Sequence, residues 1–400
     1  MNVEAGFNLD NGKRLYANGA DSFESHIVKS HENNDNISFK IYENAHILPL
    51  VRLEHLSGAV YSGGVCDVDF TFIAGYKRKD VEKPLNLECI ESYIPDITPD
   101  YVDSDVVYGG VLLHQFGHFL IESLCRLWYA IEHKKKNQKL IFLQDKPLNK
   151  NFLKLITLSG ISLEDIIILD KPTQFRSVTV PEQSLHFFSN FSKNFKVPYE
   201  AITKNITPSN FKKIYLSRTK LEKKDCINEE YFENFYKDIG FHIVYPETLS
   251  LEEQISIISG ADVIVSIIGT LSHLSIFAKK GVRVISLLRA RNYFNMAQQL
   301  IFESKEQQYT YVDATFNFLP SDYGTGCYFF APTESWKKFV KDEYGILIEQ
   351  SLTDYLNNSQ SVVGDYIQLW MKKFDNKNAM AGIKSYTSES ILSNLKNAFR

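Results

Sequence analysis

The clearest periodicity of apolar and polar residues lies between residues 213 and 289, where short apolar runs alternate with helical patterns. Strands are predicted at 213–217, 242–245, 262–268 and 282–288, and helices at about 228–238, 251–259 and 270–279. Ser250 and Glu253 predict a capping box at the start of the second helix. Short connections in this order predict an open, doubly wound sheet whose ligand lies at the carboxyl ends of the strands.

A similar but less regular pattern precedes this region. Strands are predicted at 140–143, 166–169 and 177–180, with helices near 116–131 and 151–159. Residues 1 to about 95 show mixed strand and loop patterns and are assigned to the same domain. Amphipathic segments at about 335–356 and 362–374 predict helices that pack back across the domain junction.

The chain has 400 residues, more than one hydrophobic core usually serves, so two domains are expected. Residues 1–200 are assigned to the first domain, 201–332 to the second, and 333–400 to a carboxyl-terminal helical segment. The boundary is placed in the polar, proline-bearing stretch at about 196–211. The predicted fold class is α/β, with two Rossmann-like, doubly wound domains that face each other across a cleft.

The segment 108–126 carries the first candidate chemistry. His118, Glu122 and Arg126 are four residues apart where a helix is predicted, so their side chains share one face. A histidine, a carboxylate and a permanent cation brought together in this way are typical of the wall of a site. In the alternative interpretation, Glu122 and Arg126 form an ordinary i,i+4 ion pair and His118 is only their neighbour.

His114 and His118 are also four residues apart, the spacing by which two imidazoles on a helix bind one zinc ion. The residues between them do not include the glutamate that an H-E-x-x-H mechanism requires, so no metal is expected. The five cysteines are widely separated and include no C-x-x-C pair, which favours a reducing compartment over a disulfide framework.

Composition and charge narrow the classes of protein further. With 44% apolar and 23% charged residues, the chain is expected to be globular. A formal net charge of −4 gives no overall attraction to nucleic acid or to anionic lipid. The first residues lack the pattern of a signal peptide, and nowhere do roughly 18 apolar residues run together, so a cytoplasmic location is expected.

Two stretches also resemble a known family. Residues 117–130 read GHFLIESLCRLWYA, and residues 215–278 run from YLSRTK through YPETLSLEEQISIISGADVIVSIIGT to LSHLSIFA. In this order and spacing they are similar to the glycosyltransferase family 61 domain, in its bacterial capsular-polysaccharide branch. The resemblance implies a GT-B type fold and a transfer that inverts at the sugar carbon without a metal held by an Asp-x-Asp motif.

The implied activity is that of a hexosyl- or pentosyltransferase, which moves a sugar from a nucleoside diphosphate sugar to a hydroxyl of a growing capsular polysaccharide or other glycan. The implied partners are that donor and a glycan or lipid-linked glycan acceptor, with no cofactor. Peripheral association with the inner membrane or with capsule-assembly proteins is a further expectation. Two alternatives stay open: a sugar-nucleotide epimerase-like enzyme, and a catalytically silent scaffold of capsule assembly that binds nucleotide or glycan.

The expected donor site lies in the second domain. Arg218 follows a predicted strand and is assigned to the departing diphosphate, with a structural ion pair as the alternative. Gly269 and Thr270 lie between a buried strand and a helix, where free backbone N–H groups suit a diphosphate. Asn228 and Glu229 match the family's Asn-Glu pair, and they either contact the nucleotide or cap the following helix.

The resemblance has two departures in this site. Lys224 stands where relatives commonly carry an arginine, which leaves the geometry of its donor contact in doubt. His273 stands where relatives more often show asparagine, so its role is also in doubt. Glu247 is assigned to the ribose of the donor.

The base that accepts the acceptor's proton is expected on the helix of the first domain. Glu122 is slightly favoured over His118. An ion pair with Arg126 would lower the pKa of Glu122 and shift the choice to His118. His114 and Arg126 are assigned to substrate binding.

Overall fold

The computed structural model describes residues 7–9, 13–16, 32–33, 37–78, 84–148, 150–188, 190–221, 225–289, 295–316, 318–319 and 326–375. The chain divides into two compact units. Unit A comprises Ser30–Pro208 and Met296–Lys305, and unit B comprises Met1–Lys29, Ser209–Asn295 and Glu306–Arg400. Both units combine parallel strand pairs with helices, so the predicted α/β class is confirmed.

Unit A is built on a nine-stranded mixed sheet with the order β11-β10-β9-β12-β5-β6-β7, in which β4 also pairs with β12 and β8 with β6. These strands are β4 (Phe39–Glu43), β5 (His46–Arg52), β6 (Tyr61–Cys66), β7 (Phe72–Ala74), β8 (Cys89–Glu91), β9 (Asp100–Leu112), β10 (Lys139–Gln144), β11 (Ile166–Ile168) and β12 (Thr173–Pro181). Strands β9 to β12 pair in parallel. A small sheet joins β3 (Glu32–Asn33), β13 (Leu185–His186) and β14 (Asn190–Phe191).

The helices of unit A are α1 (Phe116–His118), α2 (Leu127–Glu132), α3 (Lys150–Leu158), α4 (Val197–Lys204) and α7 (Met296–Ser304). A π-helical turn, Phe119–Ser123, follows α1, and 3₁₀ turns span Leu163–Asp165 and Lys193–Lys196. The predicted helix at 116–131 is therefore interrupted, which matters for the side chains that it carries.

The sequence pattern does not predict β9, the longest strand of unit A. Its first half is largely exposed and carries three aspartates, so no apolar run stands out there. Its second half contains Gly109, where a Cβ atom would lie 2.4 Å from a ring carbon of Phe142 on β10. The glycine thus allows close packing of two central strands at the cost of a clear β-strand pattern.

Unit B is built on a seven-stranded sheet with the order β1-β2-β20-β19-β18-β15-β17. Its strands are β1 (Phe7–Leu9), β2 (Lys13–Tyr16), β15 (Lys213–Leu216), β17 (His242–Val244), β18 (Val263–Ile267), β19 (Arg283–Leu288) and β20 (Gln308–Asp313), while β16 (Cys226–Ile227) pairs with β21 (Tyr328–Phe329). The helices are α5 (Glu229–Asp238), α6 (Leu251–Gly260), α8 (Glu334–Tyr344), α9 (Leu352–Asn358) and α10 (Gln360–Asp375), and 3₁₀ segments span Pro246–Thr248 and Ser272–Phe277.

The four strands predicted in this region are found as β15, β17, β18 and β19, and the predicted capping box at Ser250 is present. The helix predicted at 270–279 is a shorter 3₁₀ helix, in which the Ser272 hydroxyl bonds the backbone of Gly269 and tightens the first turn. Strands β1 and β2 also differ from the expectation for residues 1 to 95, because β2 pairs with β20 of unit B. A four-residue strand is too short for a periodic signal.

The core of unit B lies between the sheet and its carboxyl-terminal helices. Trp336 of α8 is fully buried, and its ring packs edge-on against Phe232 and Phe235 of α5, with ring centroids 5.1 and 4.8 Å apart. The Thr333 hydroxyl accepts a hydrogen bond from the Trp336 backbone N–H and caps α8. The aromatic cluster thus fixes α8 to the sheet that carries the strand ends described below.

None of the helices in the described part of the chain is both long and apolar enough to cross a bilayer.

Replacing Trp336 by alanine is expected to lower the free energy of unfolding by ~3–5 kcal/mol, because the change leaves a cavity in the unit B core. Urea denaturation followed by circular dichroism measures this effect. Leu347→Ala is the control, since Leu347 is 65% exposed and should change the free energy of unfolding little. Equal losses in the two variants would contradict the assignment of Trp336 to the core.

Candidate functional site

The His118–Glu122 pair lies in unit A just beyond the carboxyl end of β9. At Phe119 the helix passes into the π-helical turn, in which backbone hydrogen bonds span five residues instead of four. The turn ends at Ser123, whose hydroxyl accepts a hydrogen bond from the backbone N–H of Leu113 at 2.8 Å. The end of β9 therefore fixes the turn that carries Glu122.

Glu122 is fully buried, and both of its carboxylate oxygens are hydrogen-bonded twice. Arg78 donates from Nε to Oε1 at 2.7 Å and from Nη2 to Oε2 at 3.1 Å. The hydroxyl of Tyr76 donates to Oε1, and Nδ1 of His118 donates to Oε2. These four bonds fill the acceptor sites of a carboxylate, so none is left for a substrate hydroxyl.

The charge of Glu122 is stabilised by the same neighbours. Burial acts to raise the pKa of Glu122, but the hydrogen bond from His118 and the charge of Arg78 outweigh it and hold the pKa below its ordinary value. The guanidinium of Arg78 also lies over the ring of Phe187, 4.7 Å from its centroid. Glu122 is therefore a fixed negative charge, and this arrangement favours His118 as the proton acceptor.

His118 is the accessible member of the pair, with 30% of its side chain exposed. Because Nδ1 donates to Glu122, a neutral ring carries its proton on Nδ1 and its lone pair on Nε2. A buried carboxylate that holds a histidine in one tautomer and orientation is the arrangement that prepares the ring for general base catalysis.

A second histidine–carboxylate pair lies at the same end of the sheet. His114 follows β9 and Asp145 follows the adjacent parallel strand β10. Nδ1 of His114 lies 2.5 Å from Oδ2 of Asp145, and Oδ1 accepts the backbone N–H of His114 at 2.9 Å. The two histidines with zinc-like spacing are thus each held by a different carboxylate. Within the residues that the structure describes, no three His, Cys, Asp or Glu side chains form a metal-binding group.

Arg126 does not share the face of His118 and Glu122, so the predicted three-residue face and the alternative Glu122–Arg126 ion pair are both wrong. The π-helical turn ends at Ser123, and α2 starts only after Arg126, which changes the direction of its side chain. Nε of Arg126 donates to the carbonyl of Pro181 at 2.9 Å. Arg78, far away in sequence, takes the predicted place of Arg126 beside Glu122.

Unit B brings candidate residues together at the carboxyl ends of three adjacent strands. Arg218 follows β15, Gly269 follows β18 and Arg289 follows β19. From β15 the chain goes to β17 on one side and then returns to β18 on the other side, so the winding direction reverses between β15 and β18. Open parallel sheets bind ligands in the crevice outside such a reversal.

Gly269 allows this group to pack. Its φ of +145° is rarely adopted by residues with a side chain, and a Cβ atom would lie 2.9 Å from the guanidinium carbon of Arg289. The predicted role of its N–H needs correction, because that N–H donates to the Ser272 hydroxyl at 3.1 Å. Gly269 therefore contributes space for the Arg289 guanidinium.

Several charged side chains lie near these strand ends. Nη2 of Arg218 donates to Oδ1 of Asp225 at 3.1 Å, so the structural ion pair considered from the sequence is present. Nε of Arg218 is buried without a hydrogen-bond partner. Burial acts to raise the pKa of Asp225, but the charges of Arg218, Arg289 and Lys373 lower it below its ordinary value. Asp225 thus lies near three cationic side chains, surroundings that suit an anionic ligand.

Glu229 adds little negative charge to this group at neutral pH. Its side chain is buried, and its Oε1 accepts the backbone N–H of Arg218 at 3.0 Å and the Tyr215 hydroxyl at 3.3 Å. Burial raises the pKa of Glu229 to about 8, so the carboxyl group is mostly protonated at pH 7. Glu229 therefore neutralises little of the charge of Arg218, whose backbone N–H it binds.

The remaining predicted residues have other surroundings. Asn228 does not cap α5 with its side chain, and its amide instead donates to the Phe330 carbonyl at 2.7 Å and the Tyr355 hydroxyl at 2.6 Å. Glu247 and Thr270 are exposed, and His273 is buried in the 3₁₀ helix. Lys224 lies outside the described residues.

Sequence reasoning missed Arg289, Asp225, Arg78 and Asp145. Arg289 follows a correctly predicted strand in the same way as Arg218, so the rule that selected Arg218 could have found it. Arg78 gave no such signal, because it lies outside any regular strand or helix and 44 residues from Glu122.

Comparison with known proteins places part of the chain in a family. Residues 116–285 match the family model described as Glycosyltransferase 61, which is somewhat less than half of the chain. The match includes His118, Glu122, Arg218 and Gly269, and it ends within β19. No curated protein matches the chain. The match confirms the resemblance to the glycosyltransferase 61 domain and supports glycosyl transfer as the general activity.

Glu229→Gln should change how stability depends on pH. The unfolded chain releases the Glu229 proton near pH 4.5, whereas the folded chain holds it up to about pH 8. Between these values the folded form binds more protons, so this group's contribution to stability falls with rising pH, by up to about 1.4 kcal/mol per pH unit. Glutamine cannot titrate, so the Tm of the variant should fall less than that of the wild type as the pH rises from about 5 to about 8.5.

The matched control is Glu230→Gln, which removes an exposed carboxyl group from the neighbouring position. It should follow the wild-type pH dependence. If the plots of Tm against pH for the wild type and Glu229→Gln are parallel, Glu229 titrates near its ordinary pKa in the folded protein.

Proposed function

We propose that the chain transfers a sugar from a nucleoside diphosphate sugar to a hydroxyl of a glycan acceptor, with inversion at the sugar carbon, because residues 116–285 match the family model described as Glycosyltransferase 61. The observation that carries the proposal is the pair Arg218 and Arg289, which follow β15 and β19 on either side of β18, at the place where the winding of the sheet reverses. The proposed acceptor is a growing surface polysaccharide or a lipid-linked precursor of it.

The cations of unit B are proposed to bind the diphosphate of the donor. Guanidinium groups bind phosphate oxygens through paired N–H donors, and Arg218 has a buried Nε without a partner. As the bond between the sugar carbon and the diphosphate oxygen breaks, negative charge grows on that oxygen. Fixed positive charge at Arg218, Arg289 and Lys373 stabilises that change most where water is excluded.

His118 is proposed to accept the proton of the acceptor hydroxyl at Nε2. That hydroxyl oxygen forms the new bond to the sugar carbon, and the diphosphate leaves with the electron pair of the broken bond. Glu122 acts as a positioning residue, since it holds the tautomer of His118 and stabilises the imidazolium that forms. His114 is the second candidate for the base, because Asp145 holds it in a similar way.

Nucleotide binding tests the donor site directly. A thermal-shift panel of UDP, GDP, CDP and CMP should show one nucleotide that stabilises the wild type, by ~2.7 kcal/mol at a concentration about 100 times its Kd. Arg218→Ala and Arg289→Ala should largely lose this shift. Arg283→Ala is the control, because Arg283 lies at the other end of β19, paired with Glu343. If the thermal shift remains in both Arg218→Ala and Arg289→Ala, the nucleotide binds elsewhere in the protein.

Transfer kinetics test the base. His118→Asn should lower kcat by about 10²- to 10⁴-fold, measured as nucleoside diphosphate release from the matching sugar nucleotide with a mixture of oligosaccharide acceptors. His133→Asn, a change at an exposed histidine of unit A, should leave kcat unchanged. Both variants should keep the nucleotide-induced thermal shift.

Three results would contradict parts of this proposal. Full activity in His118→Asn together with loss in His114→Asn would assign the base to His114. Conversion of a labelled donor without any acceptor would indicate an epimerase-like enzyme. Nucleotide binding without transfer to any acceptor in the mixture would favour a scaffold.

A further inference from the structure

Unit A contains a cavity of about 430 Å³ that the proposed function does not use. It lies beside β4, β7 and the end of β12, and its volume is in the range of small-molecule sites. The titratable side chains of its lining are Lys40, Tyr42, Lys77, Arg126, Glu182 and His186, and Gln183 is polar as well. Several apolar side chains complete the wall, so the cavity offers both charge and apolar surface.

Arg126 is the most informative residue of this cavity. It is only 5% exposed, Nε is held by the Pro181 carbonyl, and the guanidinium lies 5.3 Å from the centroid of the Tyr108 ring. Nη1 is buried without a hydrogen-bond partner. Arg126 forms no ion pair with a carboxylate among the described residues. A buried cation of this kind is costly unless an anion or further acceptors satisfy it.

Two lysines also line the cavity. Lys40 is exposed and pairs with no carboxylate in the described part of the chain, and Lys77 is also exposed at the cavity. The carboxylate of Glu182 already accepts hydrogen bonds from the backbone N–H and the hydroxyl of Ser38, at 2.9 and 3.1 Å. The cavity therefore presents cations to a ligand more readily than it presents a carboxylate.

The cavity and the His118–Glu122 pair share backbone segments of unit A. Lys77 lies between Tyr76 and Arg78, two of the three residues that bind Glu122. On a second segment, His186 lines the cavity and the next residue, Phe187, contacts His118, with ring centroids 6.3 Å apart. The cavity and the histidine proposed as the base are thus linked through two short segments of unit A.

We propose that this cavity binds an anionic sugar, one that carries a carboxylate or a phosphate, as part of the glycan acceptor. The acceptor role rests on the proposed function, whereas binding of the anionic sugar does not. Arg126 supplies the buried charge, Lys40 and Lys77 supply charge at the opening, and Tyr42 supplies ring surface for the sugar. The enzyme accordingly selects acidic acceptors over neutral ones.

Calorimetric titration of the full chain at low ionic strength tests this, with glucuronate, glucose 6-phosphate and glucose as the probes. At least one anionic sugar should bind at least about tenfold more tightly than glucose. Arg126→Met should weaken that binding by about tenfold or more, and Lys40→Gln and Lys77→Gln by about two- to fivefold each. The control Lys136→Gln, the same change at an exposed lysine of unit A outside the cavity lining, should have no effect.

Tighter binding of glucuronate identifies a carboxylate on the acceptor, and tighter binding of glucose 6-phosphate identifies a phosphate. The proposal is overturned if glucose binds as well as both anionic sugars, or if neither binds. It is also overturned if the Lys40 and Lys77 variants bind like wild type, a criterion that holds even if Arg126→Met does not fold. If a nucleotide binds but no anionic sugar does, only the proposal about the cavity is refuted. If an anionic sugar binds but no nucleotide does, only the proposed function is refuted.

Discussion

The burial of one negative charge organises the candidate site of unit A. The carboxylate of Glu122 lies out of reach of water, where an ion without partners would cost several kcal/mol, and Arg78, Tyr76 and His118 replace the lost hydration. Those bonds draw the segment around Arg78 against the π-helical turn and fix the ring of His118. The same segment passes the cavity, so two separate features of unit A depend on one buried carboxylate.

Unit B concentrates charge of the opposite sign. Parallel strands end at one edge of the sheet, so Arg218 after β15 and Arg289 after β19 lie at the same edge, with β18 between their strands, although they are 71 positions apart in the chain. Asp225 lies among these charges, and Glu229 is mostly protonated at pH 7. The architecture of the sheet thus gathers groups that suit the chemistry of a diphosphate.

The sequence was informative where local periodicity decides the structure. Strands β15, β17, β18 and β19 are short, apolar and bounded by clear turn or capping signals, and the position of Arg218 followed from them. The same reasoning failed for Arg126, because helical periodicity does not reveal a π-helical turn. Sequence periodicity could not predict that Arg78 lies beside Glu122, because this contact depends on packing between distant segments. Strand β9 was missed because its aspartates and glycines hide a central strand.

The pairing of β2 with β20 bears on how this chain is assembled during synthesis. Residues 14–16 align with residues 310–312, so the sheet of unit B cannot be completed until the chain has been made 296 residues beyond β2. Closing such a long loop has a large entropic cost and slows folding. Until then the strands of unit B emerge without their edge partner. On the ribosome, the sheet that carries the candidate donor site is therefore completed only after residues 296–305, the last segment of unit A, have been made.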